Sequence, residues 1–252
     1  MAKILVSGGN SRLATCFKRF YPTQIALLTK AQCDITNKTQ LKKVIKNFKA
    51  KYILNCAAET NIERCEKNPT SCFELNTLAV YQLDQMCSKY NRKLLHISSD
   101  YAIKPVNVYG WTKYLSEKLL SPKNLIIRTS FYSSDTYIIN ELLQEKPIST
   151  YKNVYFNPVS INRLVKEIYK NRSATGLINV FSSPRISKYQ FALKVCKIFG
   201  INNKLVKAIK YANKSGFALR PLESFIKPDI KVSIDEDLVE FKEFLKLTTK
   251  IR

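Results

Sequence analysis

The sequence predicts an α/β protein built on a doubly wound parallel sheet, with a smaller second lobe formed by its C-terminal part. Three observations predict this class. Short apolar, β-branched runs alternate with longer amphipathic stretches through the first half of the chain. The first of these runs ends in a glycine pair. The chain has 252 residues, of which 45% are hydrophobic, so it is long enough to bury a substantial core.

Five apolar runs are the strand candidates of the first half. They are KILVS (3–7), IALLT (25–29), YILNC (52–56), LLHIS (94–98) and NLIIR (124–128). The amphipathic stretches between them predict helices near 12–20, 38–48, 71–90 and 109–120. Because strands that read as continuous apolar runs indicate a parallel sheet covered on both faces, the pattern predicts a Rossmann fold.

Beyond residue 130 the pattern is looser. The segments FYSSDTYIINELLQEKP and TYKNVYFNP are typical of a strand-poor excursion. The remaining elements predicted are a helix near 160–171, a strand at 177–181, a helix at 187–199 and a final helix near 235–247. Lysine-rich loops are expected from residue 201 onward, up to the final helix.

The cysteine and histidine content limits the kinds of site that the chain can carry. Seven cysteines form an odd set without a CxxC pair, and His96 is the single histidine. This composition argues against a disulfide framework and a structural zinc site, so we expect free thiols and no metal. Cys56 continues an apolar strand and is interpreted as a small buried hydrophobe. His96 is interpreted as a packed strand residue.

The charge and hydropathy pattern bears on partners and location. A formal net charge of +23 raises nucleic acid as a partner, but the lysines are spread along the chain and no nucleic-acid motif accompanies them. Attraction to anionic small molecules explains the spread about as well. No apolar run approaches the roughly 18 residues that span a bilayer, and the N-terminus lacks a signal peptide's apolar region. We therefore expect a cytoplasmic protein with neither nucleic acid nor a membrane as partner.

The first strand leads into the segment SGGNSRLATCFKRF. Between a strand and a helix, a dinucleotide fold makes a tight turn and offers backbone N–H groups to a pyrophosphate. The spacing resembles G-x-x-G-x-x-G, with Gly8 retained and with Ser11 and Ala14 at the other two positions. Ala can replace the last glycine, whereas Ser11 requires a backbone conformation compatible with a side chain. An ordinary strand-to-helix turn stays open as the alternative.

The end of the second strand, LLTKAQCD, bears on the choice of cofactor. In dinucleotide folds an acidic residue at this point holds a ribose 2′-OH. Here Lys30 lies nearest, Asp34 comes later, and Arg12 in the glycine loop adds a second cation. Because cations suit a 2′-phosphate, we expect NADPH or NADH with a preference for NADPH. Two solvated surface charges at Lys30 and Arg12 are the alternative.

The segment HISSDYAIKPVNVYGWTK (96–113) combines serine, tyrosine and lysine. Ser98 and Ser99 end the fourth strand, where ligands bind in doubly wound sheets. Tyr109 and Lys113 are four residues apart and share a helix face. An ammonium beside a phenol stabilises the phenolate and lowers a pKa that is ordinarily about 10. Such a phenol can give a proton to a carbonyl oxygen as hydride reaches the carbon, and a serine hydroxyl can hold that oxygen.

At this point the sequence resembles a known superfamily. ILNCAAETNIERCEKNP, FELNTLAV, LLHISSDY, NVYGWTKYLSEKLL and LIIRTSF occur in the order and spacing of the extended short-chain dehydrogenase/reductases. The closest likeness is to the dTDP-4-dehydrorhamnose reductase group, well over residues 3–131 and more loosely in GLINVFSSPRISKYQFALKVCKIFG and LRPLESFI. The resemblance implies NAD(P)H-dependent reduction of the keto group of a nucleotide-activated sugar, in polysaccharide biosynthesis.

The resemblance also implies a domain division. Residues 1–130 and 159–181 are expected to form the dinucleotide-binding Rossmann domain. Residues 131–158 and 182–252 are expected to form the smaller substrate-binding lobe. Arg220 and Pro221 either grip the nucleotide's diphosphate or belong to a solvated loop.

Individual roles carry over where the residues match. Ser99 matches the residue that binds the substrate carbonyl, Tyr109 the general acid, and Lys113 the residue that tunes it and holds the nicotinamide ribose. The other implied cofactor residues are Gly8, Asn10, Ser11, Arg12 and Leu13 at the pyrophosphate, Asp34 and Ile35 beside the adenine, and Cys56, Ala57 and Ala58 under the cofactor, with Lys30 added from the strand end. Thr60, Glu63 and Phe131 are expected near the sugar.

The sequence also departs from the family pattern. Between SSDY and NVYG only AIKPV remains of a longer acidic loop, although the ten residues from Ser99 to Tyr109 still reach about 30 Å, so the three catalytic residues can assemble. Cys16 stands where the rhamnose enzymes tend to have a Glu. An epimerase or dehydratase of the same superfamily, or a non-catalytic regulatory subunit with a reductase-like fold, therefore stay open as alternatives, as does a homodimer.

Overall fold

A computed structural model describes residues 3–212 and 227–249 of the chain. These residues divide into two compact units. The first contains residues 3–128 and 168–178, and the second contains residues 129–167, 179–212 and 227–249. Arg220 and Pro221 lie outside the described residues.

The first half of the chain alternates strands with helices. The strands are β1 (Ile4–Ser7), β2 (Ile25–Leu28), β3 (Tyr52–Asn55), β4 (Lys93–Ser99) and β5 (Leu125–Thr129). The helices are α1 (Arg12–Phe20), α2 (Lys38–Asn47), α3 (Ile62–Lys67), α4 (Pro69–Phe73), α5 (Ala79–Lys89) and α6 (Val108–Leu119). A π-helical turn at Glu74–Leu78 joins α4 to α5, and a 3-10 turn at Asp100–Ala102 follows β4.

Further strands and helices follow in the described part of the chain. The strands are β6 (Phe131–Tyr132), β7 (Ile148–Tyr151), β8 (Tyr155–Phe156), β9 (Val159–Ser160), β10 (Gly176–Ser182), β11 (Ile186–Ser187), β12 (Val206–Ile209) and β13 (Ile230–Val232). The helices are α7 (Tyr137–Leu143), α8 (Ile161–Lys170), α9 (Lys188–Phe199) and α10 (Ile234–Thr249). A 3-10 turn at Asn203–Leu205 precedes β12.

Seven strands form one sheet in the order β13-β10-β5-β4-β3-β1-β2. Strand β1 pairs in parallel with β2 on one side and with β3 on the other, so that Ile4 lies opposite both Ile25 and Tyr52. Strand β4 is parallel to β3, and β13 is parallel to β10. The strand order therefore reverses between β1 and β3, which is where doubly wound folds bind ligands. The predicted fold class is confirmed.

The core of the first unit explains why its apolar runs are strands. Every residue of β1 and β3 is buried, as expected for strands covered on both faces. Leu5 packs in one cluster with Leu41 and Ile45 of α2 and Leu83 of α5. Burying each such side chain contributes about 1.5–3 kcal/mol. The register of the sheet is thus fixed by the hydrophobic faces of its helices.

The strand-poor excursion predicted after residue 130 is wrong. The segment contains four short strands, β6 to β9, together with α7. Strand β7 pairs in parallel with β12, which lies in the stretch predicted as a lysine-rich loop. These strands are two to four residues long and their partners lie far along the chain, so no local periodicity marks them.

The predicted helix at 71–90 is interrupted by the π-helical turn. The N–H of Ala79 bonds to the carbonyl of Glu74, which inserts one extra residue into the helix. This insertion turns two successive side chains toward α6: Asn76 Nδ2 donates to Thr112 Oγ1 at 3.2 Å and Thr77 Oγ1 donates to the carbonyl of Thr112 at 2.9 Å. The turn therefore locks α6 against its neighbours.

Three further properties of the chain bear on its site. All seven cysteines are free thiols. Among residues 3–212 and 227–249, none of the helices has the length and hydrophobicity that crossing a membrane requires. Within the same ranges, no group of three or more His, Cys, Asp or Glu side chains is arranged to hold a metal ion.

Candidate active site

The turn after β1 has a backbone that requires glycine at one position and accepts serine at another. Gly8 has a φ of +68°, and a Cβ there would lie 2.6 Å from the backbone N of Ala57. Ser11 has a φ of −71°, an ordinary value for a residue with a side chain. Its hydroxyl accepts from the N–H of Ala14 at 3.3 Å and caps α1. The replacement of the second glycine is therefore accommodated by the local structure.

A cavity of about 470 Å³ lies beside this turn, within the size range of ligand pockets. Its walls come from the turn after β1 and from the residues after β2 and β3, at the switch point of the sheet. It is lined by nine of the predicted cofactor residues, which are Gly8, Asn10, Ser11, Lys30, Asp34, Ile35, Cys56, Ala57 and Ala58. The structure thus brings together residues from three separate stretches of sequence.

Five lining residues were not predicted from the sequence. They are Cys33, Thr36, Ser71, Glu74 and Leu75. Cys33 and Thr36 flank the predicted Asp34 and Ile35, so the same segment carries a signal for them. The other three come from α4 and the π-helical turn, where no strand end marks them.

Four predicted cofactor residues do not line this cavity. Leu13 is buried in α1 as part of the core, and Arg12 is exposed at the first position of that helix. Tyr109 and Lys113 lie on α6 instead. The cavity therefore corresponds to the part of the predicted site nearest the glycine turn.

A lysine and an aspartate share one wall of the cavity. Lys30 Nζ lies 3.5 Å from Asp34 Oδ2, and the lysine side chain is 85% exposed. Asp34 Oδ1 also accepts from the N–H and the hydroxyl of Thr36, at 3.0 and 2.7 Å. These hydrogen bonds, with the nearby Lys30, hold the pKa of Asp34 below its ordinary value. The wall thus presents an ionised carboxylate and an ammonium side by side.

The serine at the end of β4 is connected to Tyr109 through one intervening residue. Ser99 Oγ donates to Asp100 Oδ1 at 3.0 Å and accepts from the N–H of Tyr101 at 3.4 Å. The ring of Tyr101 meets the ring of Tyr109 edge to face, with centroids 5.3 Å apart. Ser99 and Tyr109 are both buried, at 7% and 8% exposure. The shortened loop thus still brings both residues to Tyr101.

Two residues set the start of α6. Asn107 caps the helix, because its Oδ1 accepts from the N–H of Gly110 at 2.8 Å. A Cβ at Gly110 would lie 2.9 Å from the carbonyl oxygen of Tyr101. Glycine at this position therefore allows the helix to approach the end of β4 closely, which positions Tyr109.

Lys113 is a buried cation at the same strand end. Its Nζ donates to the carbonyl of Ile97 at 3.0 Å, and the residue is 3% exposed. Burial lowers the pKa of Lys113 to about 8, and the carboxylate of Glu117 opposes that lowering. Lys113 is therefore mostly an ammonium at neutral pH.

A buried polar chain lies beneath these groups. Ser7 Oγ donates to Asn55 Oδ1 at 2.7 Å, Asn55 Nδ2 lies 3.4 Å from His96 Nδ1, and His96 Nε2 lies 3.2 Å from Ser116 Oγ. Burial, together with the charge of Lys113, lowers the pKa of His96 well below its ordinary value. Because the amide of Asn55 can only donate to Nδ1, the neutral ring carries its proton on Nε2. His96 is thus a packed strand residue, as predicted.

The three residues expected near the sugar lie in different places. Thr60 and Glu63 are exposed in the first unit and do not line the cavity. Glu63 forms an ion pair of 2.9 Å with Lys67, which lowers the pKa of this fully exposed carboxyl. Phe131 is half-buried in β6 of the second unit.

Comparisons with known proteins place this chain in a family. The family described as "RmlD substrate binding domain" matches residues 2–250. The dTDP-4-dehydrorhamnose reductase of Aggregatibacter actinomycetemcomitans is 30% identical over 152 residues, which are 52% of this chain and 52% of that protein. The spore coat polysaccharide biosynthesis protein SpsK of Bacillus subtilis is 22% identical over 244 residues, 85% of this chain and 86% of that protein.

A solved structure shows the same fold over nearly the full length. The crystal structure of dTDP-4-dehydrorhamnose reductase from Bacillus anthracis in complex with NADP has a TM-score of 0.86 at 23% identity, covering 98% of this chain and 99% of that one. The match to the Aggregatibacter reductase spans only about half the length of that relative. Because the family match extends over almost the entire sequence, the chain belongs to the RmlD substrate binding domain family, as its resemblance to the sugar-nucleotide reductases predicts.

Proposed function

We propose that this chain reduces the keto group of a nucleotide-activated sugar with NAD(P)H, in the manner of the dTDP-4-dehydrorhamnose reductases. The observation that carries the proposal is the placement of Lys113. Its buried ammonium is bonded to Ile97 at the end of β4, two residues before Ser99, and it lies one helical turn after Tyr109. The names of the relatives and the NADP in the Bacillus anthracis structure support it.

The residues beside the glycine turn fit a dinucleotide. Gly8 lets the turn pack against the backbone of Ala57, where a Cβ would lie 2.6 Å from the N atom, and so holds the turn at the edge of the cavity. The first turn of α1 contains no acidic residue, and N–H groups at a helix N-terminus bind phosphate. Gly8, Asn10 and Ser11 would hold the pyrophosphate, and Asp34 and Ile35 would lie at the adenosine end.

Lys30 and Asp34 would decide between the two forms of the cofactor. A 2′-phosphate is attracted by Lys30 and Arg12, whereas a free ribose hydroxyl is recognised by Asp34. Lys30 has its side chain 85% exposed and can turn toward a 2′-phosphate. We therefore propose NADPH as the preferred form.

The reduction divides between three side chains. When bound, the nicotinamide supplies the hydride that adds to the carbonyl carbon of the sugar. Tyr109 donates its phenolic proton to the carbonyl oxygen, and the ammonium of Lys113 stabilises the phenolate that remains. The hydroxyl of Ser99, which donates to Asp100 in the absence of substrate, would turn to donate its proton to the same oxygen and orient it. Solvent then returns the proton to Tyr109.

The two units would divide the binding of the two reactants. We propose that the first unit, with the glycine turn and the cavity, binds the dinucleotide. The second unit, with Phe131, would contribute to binding the nucleotide-sugar. This assignment follows the division between dinucleotide-binding and substrate-binding parts that the resemblance implies.

A cofactor titration followed by a turnover assay tests the proposal. NADPH and NADH are titrated against the protein by nicotinamide fluorescence, and we expect micromolar binding, tighter for NADPH, with the preference reduced in Lys30→Ala. The protein is then assayed with dTDP-4-keto-6-deoxy sugars, and Lys113→Met is expected to lose about 10²-fold or more of turnover because the general acid is no longer tuned.

The outcomes of this experiment distinguish a reductase from the alternative classes of protein. Absence of binding by both cofactors would contradict the proposal and favour a regulatory subunit. NAD(H) that co-purifies with the protein and is retained through turnover would identify an epimerase or a dehydratase instead.

A further inference from the structure

A buried ion pair lies behind the serine, tyrosine and lysine and takes no part in the reaction described above. Glu117 lies one helical turn after Lys113 on α6, and its side chain is 3% exposed. Arg128 of β5 donates two hydrogen bonds to this carboxylate, from Nε to Oε1 at 2.8 Å and from Nη2 to Oε2 at 2.5 Å. Ser98 Oγ donates to the same Oε1 at 2.5 Å. A buried carboxylate of this kind persists only when it is compensated in this way.

The ion pair and Lys113 hold the same strand end. Lys113 binds the carbonyl of Ile97, and Glu117 binds the hydroxyl of Ser98, the next residue. The residue after that is Ser99, which is proposed to orient the substrate oxygen. Two successive turns of α6 thus hold the two residues that precede Ser99 at the end of β4.

The same carboxylate acts on the charge of Lys113. Burial favours the neutral amine and lowers the pKa of Lys113 to about 8, whereas Glu117 acts in the opposite direction and is the largest influence that does so. If the carboxylate were removed, the hydrogen bond to the carbonyl of Ile97 would remain as the described interaction of the ammonium.

We propose that Glu117 is a positioning residue for this site, which keeps the amine of Lys113 charged and fixes the strand end that carries Ser99. This inference rests on the proposed function in one respect, because it assumes that Lys113 takes part in the reduction. Glu117 itself contacts neither reactant in this proposal, and Arg128 serves to compensate it.

Other titratable groups also surround Lys113. They are His96 on β4, Cys56 after β3, Cys65 on α3 and Cys72 on α4, with Arg128 at β5 paired to Glu117 and Tyr109 one turn earlier on α6. His96 is neutral across the range of interest. A hydrogen bond with Cys65 lowers the pKa of Cys72, while burial raises the pKa of Cys56 to about 12. All of these groups are retained when Glu117 is changed, so their effects cancel in a comparison.

The test is a set of unfolding measurements between pH 6 and pH 10.5, without cofactor or substrate. Four proteins are compared: wild type, Lys113→Met, Glu117→Gln and the double variant. Because unfolded lysine holds its proton to about pH 10.4 while folded Lys113 loses it near pH 8, the stability contributed by Lys113 rises with pH above the lower value. We expect Glu117→Gln to move the onset of that rise down by about one pH unit.

A matched control separates charge from hydrogen bonding. Ser98→Ala removes one bond to Glu117 and leaves its charge and its pairing with Arg128 in place. We expect this variant to leave the onset unchanged. An onset that stays the same in Glu117→Gln, or that moves as far in Ser98→Ala, would overturn the proposal.

A second variant covers the case in which Glu117→Gln does not fold because Arg128 is left unpaired. In Glu117→Gln combined with Arg128→Gln the partly buried guanidinium is removed as well, and a downward shift smaller than that of Glu117→Gln is expected, because the loss of the more distant cation offsets part of the loss of the carboxylate. An unchanged onset in this variant would likewise overturn the proposal. Since these measurements use no reactants, a failure of the proposed reduction would appear separately, as the expected shift in Glu117→Gln together with a wild-type protein that reduces no keto-sugar.

Discussion

Two buried tyrosines, one in each unit, lie in opposite electrostatic surroundings. Tyr109 lies in the first turn of α6, four residues before the buried ammonium of Lys113. Tyr132 lies on β6 and donates its hydroxyl proton to Asp237 Oδ2 at 2.9 Å. Burial and the carboxylate of Asp237 raise the pKa of Tyr132 well above its ordinary value.

The difference shows that a buried phenol takes its role from the charge beside it. In the proposed reaction the ammonium of Lys113 favours the phenolate of Tyr109, whereas the carboxylate of Asp237 opposes ionisation of Tyr132. Tyr132 is instead one of three donors to Asp237, together with the N–H and the hydroxyl of Ser160 at 2.6 and 2.5 Å. The first arrangement suits proton transfer, and the second stabilises the attachment of α10 to β6 and β9.

Removing each hydroxyl in turn is the strongest way to break this comparison. Tyr109→Phe is expected to lower kcat for keto-sugar reduction by about 10²–10⁴-fold, because the proton donor is lost. Its free energy of unfolding should change far less than its turnover. The measurement is steady-state reduction of the keto-sugar, with urea unfolding of the same preparation.

Tyr132→Phe is the matched variant in the second unit. It leaves a buried carboxylate with one donor fewer, so we expect a loss of about 1–3 kcal/mol in the free energy of unfolding, with kcat retained by the folded protein. Equal losses of turnover in the two variants would contradict the distinction between the two phenols.

Two glycines with positive φ, one in each unit, extend the comparison from side chains to the backbone. A Cβ at Gly8 would lie 2.6 Å from Ala57 N, whereas a Cβ at Gly200, with a φ of +77°, would meet no atom within 4 Å. We expect Gly200→Ala to cost about 1 kcal/mol, the penalty of the left-handed conformation alone. Gly8→Ala should cost about 3 kcal/mol, because overpacking is added, and should displace the turn.

Cofactor titration of the folded variants separates the two positions. NADPH binding should fall by tenfold or more in Gly8→Ala and stay unchanged in Gly200→Ala, which lies at the end of α9 in the second unit. Unimpaired NADPH binding by Gly8→Ala would place the dinucleotide elsewhere in the molecule.

The difference between local patterns and contacts between separate segments explains how much of the structure the sequence could predict. The strands β1 to β5 and the Tyr109–Lys113 spacing are local patterns, and each predicted strand lies within one residue of the observed bounds. The Gly8 turn was recognisable because a strand, a glycine and a helix follow each other directly. Local periodicity, capping and spacing therefore sufficed for β1 to β5 and for the glycine turn, but not for the edge strand β13, which lies in the stretch predicted as a lysine-rich loop.

Contacts between distant segments could not be predicted in this way. Tyr132 and Asp237 are 105 positions apart, and Ser160 and Asp237 are 77 apart. The pairing of Glu117 with Arg128 joins two segments that carried the family resemblance, yet nothing in either segment marks the partner. These charges are buried only because of tertiary packing, and no composition or periodicity records such packing.

The smallest expected effect concerns the titration of Asp237, and it tests whether this carboxylate is held mainly by neutral donors. Burial raises its pKa, against the opposing effect of the hydrogen bonds from Ser160 and Tyr132. Between the ordinary value of about 3.9 and the raised value, the folded state binds more protons than the unfolded state, so stability falls as pH rises through that window.

In Asp237→Asn this contribution is absent. The stability difference between wild type and variant, measured by urea unfolding, should therefore grow in favour of wild type as pH is lowered from 7 toward 4. A difference that shrinks over this range would mean that Asp237 behaves as a compensated anion, as Glu117 does beside Arg128, and the contrast between the two tyrosines would then have to come from Lys113 alone.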